Sequence, residues 1–78
     1  MAVDLSMIIQ TRKALNMTQK ELAIKSFCTQ NTISRIEMNK MSPTIYLLSN
    51  IIAALNMEIK LTIINNNLEL IIFNKLIK

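Results

Sequence analysis

The chain has 78 residues and a mass of 8.9 kDa, which is one small domain. It has no glycine, no histidine, one proline and one cysteine, which excludes P-loops, dinucleotide-binding glycine loops, histidine metal sites, zinc sites of several cysteines and intrachain disulfides. The net charge of +4 favours a polyanionic partner, and an aromatic share of 4% speaks against a stacking platform for single strands.

The basic excess is uneven. Residues 1–40 carry six Lys/Arg against three Asp/Glu, and residues 41–78 carry three against two. No run resembles a secretory leader, and no apolar stretch reaches the roughly 18 residues of a membrane span. The chain therefore reads as cytoplasmic, with Cys28 reduced.

Leu5, Ile8, Ile9 and Leu15 share one helical face, with Gln10, Thr11 and Lys13 opposite. This predicts a helix over about 4–15, capped by Asp4 and closed by Asn16. Thr18-Gln19-Lys20-Glu21 is a capping box, with Met17 and Leu22 placed for a hydrophobic staple. A second, short helix starts at Gln19 and ends where Ser26-Phe27-Cys28 breaks the pattern. Thr29 caps a third helix over about 30–37. Ile33 and Ile36 point inward, and Gln30, Asn31, Ser34 and Arg35 point outward.

Lys40 lies in the next loop. Pro43-Thr44 opens a fourth helix, in which Ile45, Leu48, Ile51, Ile52 and Leu55 repeat at helical spacing up to Asn56. The period then becomes two. Met57, Ile59, Leu61 and Ile63 alternate with Glu58, Lys60 and Thr62, which predicts a strand. Asn65-Asn66-Asn67 is a turn. Leu68–Phe73 fits a returning strand or a helix capped by Asn67, and the strand is preferred. Residues 1–56 and 57–78 divide as two functional parts.

Two short helices joined by a three-residue break, the second with a polar outer face, describe a helix-turn-helix. The stretches Thr18–Ala23 and Thr32–Glu37 resemble the XRE-type, Cro/lambda-repressor-like DNA-binding family, and Pro43–Leu55 resembles its following helix. The likeness covers about residues 5–63. The implied fold is mainly α: a four-helix lambda-repressor-like domain, followed here by the C-terminal strand and short tail. Ala53–Met57 followed by Glu58–Ile63 is similar to HipB-type antitoxins, in which a C-terminal strand pairs across the dimer.

The resemblance implies that the third helix enters the major groove of a DNA operator. Gln30, Asn31, Thr32, Ser34 and Arg35 then face base edges. Gln and Asn amides suit adenine, Arg suits guanine, and the Thr32 methyl suits thymine. Gln19, Lys20, Thr29 and Lys40 are the expected phosphate contacts. Arg12 and Glu37 are the expected ion pair between the first and third helices. Lys13 and Lys25 are solubilising charges, and Cys28 is a packing residue.

A palindromic operator and a homodimer follow from the small size of one module. Ile59, Leu61, Ile63, Ile72 and Phe73 are the candidate dimer or partner residues. The HipB-like layout adds a HipA-like toxin as a partner. A Cro-like repressor without a toxin, and an interaction module without DNA binding, are the competing readings. No cofactor or metal is implied, and no constellation for an enzyme is available.

The family often places glycine at four helix ends or turns. Here those positions are Asn16, Phe27, Asn39 and Asn56. Asparagine tolerates positive φ and phenylalanine does not. The expectation is a left-handed Phe27 or a turn of different shape.

Overall fold

The computed structural model describes residues 5–74. Their order is α1 (Ser6–Ala14), α2 (Gln19–Ser26), α3 (Gln30–Glu37), α4 (Ile45–Ala54), β1 (Met57–Ile64) and β2 (Asn67–Asn74). The fold is mainly helical, four helices followed by a strand hairpin.

Caps chosen by the sequence start three of the helices. Thr18 Oγ1 accepts from the Glu21 amide, and the Glu21 carboxylate accepts from the Thr18 amide, both at 3.0 Å. Those hydrogen bonds to Thr18 hold the exposed Glu21 carboxyl below its ordinary pKa, with Lys25 adding to the effect. Thr29 and Thr44 cap α3 and α4 in the same way, accepting from Thr32 and Leu47. The first helix differs from expectation. Its N-cap position is Leu5, which offers no side-chain acceptor, and Asp4 lies outside the described residues.

The helix ends are closed at positive φ. Asn16, Phe27, Asn39 and Asn56 have φ of 55°, 63°, 62° and 59°. After α1, α2 and α3 the chain closes with paired bonds to the last turn. Met17 donates to Arg12, Cys28 to Ala23 and Lys40 to Arg35, each spanning five residues. This is the Schellman motif, with its left-handed residue filled by Asn, Phe and Asn instead of glycine. Phe27 is therefore left-handed with the turn preserved. The residue is 86% exposed, so no burial offsets the backbone strain. Phe27→Gly is expected to stabilise the chain by about 0.5–1 kcal/mol, the left-handed cost less the flexibility glycine gives the unfolded chain. The melting temperature should rise by a few degrees. An unchanged or lower value would mean that the turn carries no strain.

The core gathers Ile8, Met17, Leu22, Ala23, Ile33, Ile36, Leu48, Ile51, Ile52, Leu55 and Met57. The second helix packs on α3 and α4, α1 touches α3, and β1 lies against α4. Three sequence expectations need correction. Leu15 and Ile45 are exposed, because each sits at a helix end beyond the packed layer. Ser26, read as a break, is fully buried as the last inward residue of α2. Its hydroxyl donates to the Leu22 carbonyl, which satisfies it.

The hairpin pairs β1 with β2 antiparallel, from Met57↔Asn74 to Ile64↔Asn67. Asn65 and Asn66 both have positive φ, as a two-residue type I′ turn requires. Residues 68–73 are thus strand. At its base the hairpin is seated on the core by Met57, Ile59 and Ile72. Towards its tip Ile63 and Leu68, a register pair, are exposed.

Candidate nucleic-acid interface

The third helix is built to show one polar face. Thr29 fixes its start, and Ile33 and Ile36 fix its rotation by burial. Gln30, Asn31 and Arg35 are then exposed, and Thr32 and Ser34 are half-buried. Thr32 has its hydroxyl within 2.9 Å of Thr29 Oγ1, which also accepts from its amide at 3.1 Å. The Thr29 oxygen is thus engaged in capping. Lys20 and Lys40 are exposed, while Gln19 is half-buried at the start of α2.

The ion pair joins this face to the rest of the fold. Arg12 Nε lies 2.7 Å from Glu37 Oε2, and Arg12 Nη2 lies 3.0 Å from Oε1. The geometry is bidentate, and the side chains are only 11% and 6% exposed. Arg12 Nη1 also donates to the Met17 carbonyl at 2.9 Å. Burial pushes the Glu37 carboxyl up, but the bonds from Arg12 and Gln19, with the Arg12 charge, hold it below its ordinary value. Among the described residues, no buried side-chain nitrogen or oxygen lacks a partner.

The structure therefore brings together the α2 start, the α3 face and the pair behind them, α3 lying one short turn after α2. A family model described as helix-turn-helix matches residues 8–61, from within α1 to within β1. The chain belongs to the XRE-type helix-turn-helix family. Comparison with curated proteins and with solved structures gives no match. The helix-turn-helix membership makes the chain a DNA-binding regulator, of a family that is not normally enzymatic. No helix among the described residues is long and apolar enough to cross a membrane.

Three features of this helix-turn-helix escape a sequence reading. Gln19 Nε2 donates to Glu37 Oε1 at 3.0 Å, a contact across 18 positions that no local pattern marks. Ile24 on α2 and Phe27 in the turn are exposed apolar side chains beside the motif. Tyr46 stands exposed on the first turn of α4. Cys28 packs partly against the core, and burial raises its thiol pKa.

Proposed function

We propose that this chain is a sequence-specific repressor that binds a palindromic operator as a homodimer in the cytoplasm. The single observation behind this reading is the α3 face. Gln30, Asn31 and Arg35 stand exposed on a helix that is capped at Thr29 and tied to α1 through Glu37. Gln30, Asn31, Thr32, Ser34 and Arg35 face base edges. Gln19, Lys20, Thr29 and Lys40 contact phosphate, which fixes register. Residues 1–56 read DNA and residues 57–78 serve assembly.

Salt titration tests the DNA reading. Lys20 and Lys40 on two protomers neutralise about four phosphates, which gives a slope of log affinity on log salt near about −3.6. A fourfold rise in salt should then weaken binding about 150-fold. Salt-independent retention of duplex DNA would defeat the reading and favour an interaction module.

The hairpin supports the dimer. A two-stranded hairpin is marginal alone, and the apolar pair Ile63 and Leu68 continues beyond the core and stays exposed among the described residues. Ile59 and Ile72 already pack partly on the core, so Ile63 is the foremost of the five candidate residues. The side chains of Leu61 and Phe73 lie outside the described ones. Ile63→Lys with Leu68→Lys should convert a dimer to a monomer by sedimentation, and cost operator affinity on the order of 100-fold. A variant that stays dimeric would move the interface elsewhere.

Within this reading, the chain is the antitoxin of a HipB-like operon that represses its own promoter and binds a HipA-like toxin. The C-terminal strand after α4 supports it. A Cro-like repressor without a toxin is the second reading, and one observation favours it. The first strand pairs with β2 of its own chain, whereas the HipB-like layout pairs it across the dimer. Co-purification with the product of the adjacent reading frame separates the two.

A further inference from the structure

Glu37 does more than close an ion pair. Its Oε1 receives two donors, Arg12 Nη2 and Gln19 Nε2, each at 3.0 Å. Its Oε2 receives Arg12 Nε at 2.7 Å. Three segments meet at this carboxylate: α1 through Arg12, the start of α2 through Gln19, and the end of α3 through Glu37 itself. We infer that Glu37 is a positioning residue for DNA binding, holding the Gln19 amide in the orientation that meets a backbone phosphate. The inference rests on the DNA reading above and adds to it a coupling between the ion pair and the phosphate contact.

The chemistry fixes the orientation. A carboxylate only accepts, so the NH2 end of Gln19 must face it and its carbonyl end must face away. One N–H goes to Glu37, and the second N–H remains to donate to a phosphate oxygen. Gln19 is a long side chain, and one left loose must be ordered when DNA binds. Holding it beforehand removes that cost. Arg12 has a matching part. A bare carboxylate behind a phosphate contact would repel the DNA, and the guanidinium on both its oxygens cancels that charge. Gln19 is the neutral link through which the two anions approach without facing each other.

The test is a double-mutant cycle on DNA affinity, using a duplex that the parent chain selects from a random-sequence pool. Removing Glu37 alone strands Arg12, so the pair is replaced together as Arg12→Met with Glu37→Met, which keeps an apolar contact. Counted per half-site, Gln19→Ala is expected to weaken binding about tenfold in the parent chain, the value of one hydrogen bond to a charged group. The paired replacement should weaken binding about 2–10-fold, the cost of reordering Gln19. In that background Gln19→Ala should add less than about fivefold. Equal costs in both backgrounds, or full affinity in the paired replacement, would overturn the inference while leaving the DNA reading intact. A parent chain that selects no duplex would overturn both.

A second measurement needs no variant. In the free parent chain, one of the two Gln19 side-chain amide protons should exchange slowly with solvent and the other quickly. Adding the selected duplex should slow the second. Two equally fast protons in the free chain would show that Glu37 holds nothing.

Discussion

Gln30→Ala combined with Arg35→Ala is expected to lower affinity for the selected operator by about 30-fold to 20,000-fold per half-site while leaving the fold intact. The range is that of two lost bidentate base contacts at about 1–3 kcal/mol each. Neither side chain is spent inside the protein. Both are exposed, and among the described residues neither donates to nor accepts from another residue. Their removal should therefore change unfolding free energy by less than about 0.5 kcal/mol. Arg35 also carries charge, so affinity for unrelated duplexes should fall too, but by far less than affinity for the operator. Lys20→Ala is the control. It should weaken every duplex alike and flatten the salt slope, because a phosphate contact carries no sequence information. Measured operator affinity within threefold of the parent would sink the assignment of α3 as the reading helix.

Local signals mark that helix in the sequence. Thr18, Thr29 and Thr44 each announce a helix start, and each accepts the amide three residues on. The four left-handed helix ends were legible from the resemblance, whose glycine positions fall on them, and asparagine stands at three. What the chain did not reveal lies where local patterns stop. Leu68, Ile71 and Ile72 fit both periods, and the choice of strand was made by Asn65-Asn66, whose paired positive φ turns the chain back on β1. Leu15 and Ile45 carry the right periodicity but sit past the ends of the packed layer. Ser26 looks polar in sequence and is core, since its own helix supplies the acceptor. The meeting of Arg12, Gln19 and Glu37 joins residues 25 and 18 positions apart. The resemblance supplied two of its members in one role and the third in another. Only the packing of α1, α2 and α3 put them at one carboxylate.

That carboxylate sets the second large effect, which is on stability. Arg12→Ala or Glu37→Ala is expected to cost about 3–5 kcal/mol, because each leaves a nearly buried charge without its counterion. Small domains hold only about 5–15 kcal/mol in total, so either change should lower the melting temperature by at least about 10 °C. Arg12→Met with Glu37→Met removes both charges and should cost far less than either alanine variant. The pH dependence separates this account from simple loss of packing. Glu37 titrates below its ordinary 4.5 in the folded chain. Its contribution is therefore fully present above the unfolded value and is lost as pH falls through the folded one. Without Arg12 that lowering is weakened, since burial, which favours the protonated carboxyl, is then opposed only by the Gln19 bond and the Lys13 charge. The deficit of Arg12→Ala relative to the parent should accordingly shrink as pH drops from about 6 towards about 4. The exposed Glu21 also titrates low, but it does so in both chains and cancels in the difference. A deficit that stays constant across that range, measured by chemical denaturation at each pH, would mean that Arg12 acts through its hydrocarbon stem and not its charge.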